Sequence, residues 1–210
     1  IQAATGGFER GRILVADSYL NSMVAAGDGG SDLLGNASGF EAAYTMGDHK
    51  FAFQATNRAD AAAAPKKRHN MLLNYTGSLM DKMMGLNIGY AMGSTGTAGA
   101  ETNITNMNLG VSLALGVVDV TLDYLANSNK GVATGAKATT TNSIVAEVRK
   151  SMGAWTPIFK FESSENKKDE LATDAASFKR TGMALAAEFT PSSNENFRYH
   201  VAYASQTDKY

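Results

Sequence analysis

The stretch "NMNLGVSLALGVVDVTLDYLAN", Asn106 to Asn127, changes character on nearly every residue. Met107, Leu109, Val111, Leu113 and Leu115 fall on one phase, with Asn108, Gly110, Ser112 and Ala114 on the other. After a break near Gly116 the rhythm resumes, with Val118, Val120, Leu122 and Tyr124 set against Asp119, Thr121 and Asp123. A period of two marks a strand, so the segment predicts a β-hairpin. What its apolar face touches, a packed core or lipid, decides the fold.

Composition narrows the choice. A chain of 210 residues with 44% hydrophobic content can fold as one domain. A formal net charge of −1 gives no basic surface for nucleic acid. The absence of cysteine excludes disulfides and Cys-ligated metals. No run of about 18 apolar residues exists, so a transmembrane helix is excluded. The chain starts at Ile1 without the charged and apolar regions of a secretory signal, and reads as a processed protein or an internal piece. Twenty-one glycines against three prolines, with few segments of helical period, indicate an all-β protein. The mildly negative mean hydropathy is compatible with a membrane location, because a spanning barrel meets lipid on alternate residues only.

The two-residue rhythm recurs at 8–17, 38–46, 49–58, 68–79, 83–93, twice within 104–127, and at 143–152, 155–163, 181–190 and 196–206. That predicts about eleven strands, each near the roughly 9–11 residues that a tilted strand needs to cross a bilayer. The links alternate between short and long. Short ones fall at 47–48, 80–82, Gly116, 153–154 and 191–195; long polar ones fall at 59–67, 94–101, 128–140 and 164–179. Barrels of outer membranes pair tight turns at one end with long loops at the other. Greek-key sandwiches give no reason for this alternation.

The apolar phase carries Phe40, Tyr44, Phe51, Phe53, Leu73, Tyr75, Ile88, Tyr90, Trp155, Phe159, Phe189, Tyr199 and Tyr203, with aromatics near strand ends as an interfacial girdle requires. Lys150 sits on this phase close to a short turn, where it can snorkel. The expected fold is therefore a transmembrane antiparallel up-and-down β-barrel forming one domain over 1–210, its greasy side in lipid. With short turns on the inner side, both the 8–17 strand and the strand reaching Tyr210 run outward. An even strand count then calls for a further strand, so the chain reads as incomplete.

One segment breaks the rhythm: "GRILVADSYLNSMVAAGDGGSDLLGNASGFEAAY", Gly11 to Tyr44. A Gly11-Arg12 strand leads to Asp17, a small-residue loop holding Asp28-Gly29-Gly30-Ser31-Asp32, and a fresh strand at Gly39. This resembles the third-loop region of Gram-negative general porins, and "SGFEAAYTMGDHKFAFQATNRAD" resembles the hairpin that follows it. Two positions depart from that pattern: Ala26-Gly27-Asp28 stands where Pro-Glu-Phe is common, and Ser38-Gly39-Phe40-Glu41 where an arginine is often found. The resemblance implies a barrel of about sixteen strands in the complete protein, commonly a homotrimer, with 8–17 as about the fifth strand. It also implies a bacterial outer-membrane location among lipid and lipopolysaccharide, and a lumen-folded constriction loop over 17–37.

The function so implied is passive diffusion of ions and small hydrophilic solutes. A substrate-selective channel for an anion or a sugar is the alternative, and a barrel enzyme or adhesin a more distant one. A pore needs a wet lumen, a constriction and a transverse charge pattern, with no cofactor and no metal. The lumen phase holds Gln54, Asn74, Thr76 and Asn87 among its charges. Its predicted pore-lining set is Arg10, Arg12, Lys50, Arg58, Arg68, Arg149, Lys160 and Arg198 against Glu41, Asp119, Asp123, Glu147, Glu162 and Glu188. By the resemblance, Asp17, Asp28 and Asp32 would narrow the bore opposite Arg10 and Arg12. Asp28 and Asp32 alone undersupply a Ca²⁺ shell. "GVATGAK" has the wrong glycine-to-lysine spacing for a phosphate loop. Of the three histidines, His49 adjoins a short turn, His69 opens a strand and His200 falls on the lumen phase.

Overall fold

The alternating segments form ten antiparallel strands: β1 (Ser38–Met46), β2 (His49–Ala59), β3 (Lys67–Leu79), β4 (Met84–Thr97), β5 (Ala100–Ala114), β6 (Asp119–Gly131), β7 (Ala138–Arg149), β8 (Trp155–Lys168), β9 (Phe178–Phe189) and β10 (Tyr199–Lys209). They make one sheet in strict sequence order, β1 to β10. The computed structural model describes residues 38–59, 67–97, 100–131, 138–168, 178–191 and 199–209. The strand expected at 8–17 and the constriction loop expected at 17–37 lie outside these residues.

The opening hairpin forms as its rhythm predicts. β5 and β6 pair from Thr102↔Gly131 to Ala114↔Asp119, and Leu115 N donates to Val118 O at 3.0 Å to close the turn. Gly116 takes φ +75° at the first central position of that turn, as Gly47 (φ +57°) and Gly153 (φ +64°) do in the turns before β2 and β8. A left-handed first residue lets a two-residue turn match the twist of its flanking strands, and glycine adopts it without a Cβ penalty. The β3–β4 turn solves the same problem without glycine: Met80, Asp81 and Lys82 all have positive φ.

The faces are inside out relative to a soluble protein. Large apolar side chains are exposed, among them Tyr44, Phe51, Leu73, Ile88, Leu109, Leu122, Trp155, Leu185 and Tyr203. Gln54, Asn106, Asn108, Asp123, Ser143, Glu147, Lys160, Glu162 and Ser164 are buried. Among the described residues there is no second layer to cover that polar face, so the sheet's own curvature encloses it. The structure is all-β, an up-and-down antiparallel wall with its apolar side outward.

The outward apolar band has a finite height. On β4 it runs from Met84 to Met92 and on β5 from Leu113 to Met107, before Ser94, Thr105 and Asn103 take over the phase. At about 3.4 Å per residue these runs span roughly 20–27 Å along the strand, the scale of a barrel's apolar belt. Aromatics gather at the short-turn end. Trp155, Phe189 and Tyr199 share one rung, with ring centroids 4.7 Å apart for the first pair and 6.3 Å for the second. Tyr75 packs on Phe51 at 5.0 Å, and its hydroxyl shares a 2.9 Å hydrogen bond with His49 Nδ1. Toward the other end, the Tyr124 hydroxyl donates to Asn142 Oδ1 at 3.3 Å. Tyrosines whose rings sit in the band and whose hydroxyls find partners at its edges suit a membrane–water boundary.

Two expectations need correction. β3 to β9 are longer than the bilayer minimum, up to 15 residues in β5. The long polar links are in part ladder: 94–97 pairs with 100–103, and Thr139↔Lys168 continues the β7–β8 pairing. Polarity on both faces erases the alternation there, while the backbone goes on bonding and threonine remains a good strand residue. The enclosed face is also less polar than expected, since Leu72, Ile104, Val145 and Ile158 are buried on it. Ile158 and Ala184 pack with Ala186 and Ala204 into a small apolar patch over β8 to β10.

If the outward face meets lipid, Leu122→Arg should cost about 2–4 kcal/mol of folding free energy in vesicles, read by urea titration. A change below about 0.5 kcal/mol would place Leu122 in water.

Candidate functional site

The enclosed face divides into two walls of different chemistry. In the first, β2 to β5, the described inward side chains beyond Lys50 at the short-turn rim carry no charge. Inward positions are Gln54, Asn74, Thr76, Asn87, Asn106 and Asn108, separated by Gly85, Gly89 and Gly110. Asn108 Nδ2 donates to Asn87 Oδ1 at 3.5 Å. Amides suit such a wall because each offers donors and an acceptor without the desolvation cost of a charge.

The second wall, β6 to β9, is charged. Register sets Glu147 directly opposite Lys160, while Asp123, Val145, Glu162 and Gly182 follow one another across a neighbouring rung. Lys160 is fully buried, and Glu147 and Glu162 are 3% and 2% exposed. Directly opposed strand residues have Cβ atoms about 4.5–5.5 Å apart, close enough for opposite charges to stabilise one another. Arg149 Nε lies 3.3 Å from Glu147 Oε1. A hydroxyl relay extends the cluster: Ser143 Oγ donates to Ser164 Oγ at 2.8 Å, and Ser164 Oγ donates to Glu162 Oε1 at 2.9 Å. Among the described side chains of this wall acids outnumber bases, with Asp119, Asp123, Glu147, Glu162 and Glu188 against Arg149 and Lys160.

The expected pore-lining residues separate by depth. Asp123, Glu147, Lys160 and Glu162 are buried inside; Arg149 and Glu188 are half-buried nearer the short turns; Lys50 and Asp119 are exposed at that rim. The side chains of Glu41, Arg58, Arg68 and His200, and all of Arg10, Arg12, Asp17, Asp28, Asp32 and Arg198, lie outside the described residues. Single charges read from sequence suggest solvated side chains or ion pairs with a lumen neighbour; Lys160 and its acids form one buried cluster. Cross-strand register brings them together, and no linear spacing reveals that register. Asn106, Asn108, Ser143 and Ser164 were absent from the candidates because they carry no charge. Their phase, shared with Asp123, Glu147 and Glu162, was the signal that could have found them.

Among the described residues no group of three or more His, Asp or Glu side chains is arranged to hold a metal ion. The serines of the relay bond to each other and to Glu162. The one histidine with a described side chain, His49, bonds to Tyr75 on the outward face.

Removing the middle of the relay should be costly. Ser164→Ala leaves the Ser143 hydroxyl and Glu162 Oε1 each short of a buried partner, a loss of about 1–3 kcal/mol by denaturant titration. The Ser143→Ala/Ser164→Ala double variant should lose less than the sum of the singles, because the two hydroxyls share one relay.

No family model and no curated protein matches the chain. A solved structure with the same fold is OmpTdeltaL8, a loop L8 deletion mutant of OmpT, an outer membrane protein of Vibrio cholerae, with a TM-score of 0.61. The identity is 11%, and the likeness covers 80% of this chain and 57% of that one, so this chain spans a little over half that protein's length. At this identity the likeness speaks to the fold, which is that of an outer-membrane β-barrel protein.

Proposed function

We propose that this chain forms wall of a passive channel in the bacterial outer membrane, through which ions and small hydrophilic solutes diffuse. The observation that carries the reading is the inverted polarity: exposed aromatic and aliphatic side chains outside, buried amides and charges within. Lipid and lipopolysaccharide around a homotrimer belong to the same proposal. Inside, amides and paired charges would replace part of a solute's hydration shell without binding it tightly, which passage requires. The excess of acids among the described side chains of the β6–β9 wall favours cations over anions. The amide wall supports a second reading, a channel preferring a hydroxylated solute such as a sugar. An enzymatic role has less support, because the Ser143–Ser164 relay ends on Glu162 while His49 bonds to Tyr75 on the opposite face of the sheet.

Planar-bilayer recording under a salt gradient tests the proposal. The complete protein containing this chain should give stepwise conductance with a reversal potential on the cation side. Glu162→Gln and Glu188→Gln should move that potential toward the anion side. Block of the current by millimolar sugar would favour the second reading. No steps from the folded protein would count against both.

A further inference from the structure

Three inward glycines of the β4–β5 wall have a feature in common that a diffusion channel would use. Each faces a polar residue directly across the ladder: Gly85↔Ser112, Gly89↔Asn108 and Gly110↔Asp123. In each pair the polar tip occupies the space that a side chain on the glycine would need. A Cβ on Gly85 would collide with Ser112 Oγ, one on Gly89 with Asn108 Oδ1, and one on Gly110 with Asp123 Oδ1. Asn108 and Asp123 are 3% and 5% exposed, so they lie flat on the wall and do not stand out from it. Strands are about 4.8 Å apart, a distance that a short amide or carboxylate covers when it reaches sideways over a neighbour without a Cβ.

We infer that Gly85, Gly89 and Gly110 set the free bore of the channel by giving Ser112, Asn108 and Asp123 room to fold against the wall. The inference rests on the channel reading and adds to it a determinant of size selection on the barrel wall itself. Alanine at any of the three positions would push the facing polar group out of its cradle and across the bore. Pore diameter, not net charge, would then change, because no charge is added or removed.

The experiment compares single-channel conductance of the complete protein with that of Gly89→Ala and Gly110→Ala, with strand content by circular dichroism as a check on folding. Each variant should conduct less than the original, with an unchanged reversal potential for Gly89→Ala, whose displaced group is uncharged, and a shift toward the cation side for Gly110→Ala, which moves the Asp123 carboxylate inward. Gly89→Ala/Asn108→Ala should recover the original conductance, since the displaced amide is gone. Gly85→Ala, which crowds the Ser112 hydroxyl, should show the same direction of change and reads the arrangement even if Gly89→Ala does not fold. Steps from the original protein with unaltered conductance in the folded glycine variants would overturn this inference and leave the channel reading standing. Silence from the original protein would overturn both.

Discussion

The structure depends on a constraint that hydrocarbon places on backbone. A strand in lipid has no water to bond its N–H and C=O groups, so every one must be met by a neighbouring strand. That requirement explains why each of the ten strands pairs with the next in sequence and why the pairing is antiparallel throughout. Sequential hairpins need only tight turns, and glycine at the first central position of three of them supplies the twist. Once the ladder is fixed, side chains have two destinations only. The period of two then sorts them, the outward face for Leu109 and Leu122, the enclosed face for Asn108 and Asp123.

Enclosure changes what the polar residues must do. A charge on an open wet surface is screened and nearly neutral in energy. Lys160, fully buried, would cost several kcal/mol if it stood alone. Its position opposite Glu147 and beside Glu162 offsets that cost, and Arg149 and the Ser143–Ser164 relay meet the remaining carboxylate oxygens in part. The amide wall follows a different rule. Where β4 carries glycine, the facing side chain settles over the strand, so the same ladder both binds and levels the surface. One wall therefore supplies field and the other supplies room.

Much of this was legible in the sequence because the decisive signal is local. Alternation along 106–127 identified the hairpin, its turn and both faces, and the same rhythm located the eight other strands of the described residues. The strand ends were less legible. Thr95, Thr97, Thr102 and Asn103 are polar whichever way they point, so the ladder ran on where the pattern had faded. The charged residues of the inner wall were found by phase, but their grouping was not, since Glu147 and Lys160 meet only through the β7–β8 register. Leu72, Val145 and Ile158 were unexpected on the enclosed face. They are inward by phase, and their apolar character is accounted for locally, as with Ile158 against Ala184.

The central claim is that the outward face lies in acyl chains, and the chain carries a single tryptophan, Trp155, on that face beside a short turn. Its fluorescence in vesicles of brominated lipids tests the claim directly. Strong quenching, greatest for bromines near the headgroup end of the acyl chain, is the predicted result. Unquenched emission, from a protein that remains monodisperse in buffer without detergent, would contradict it.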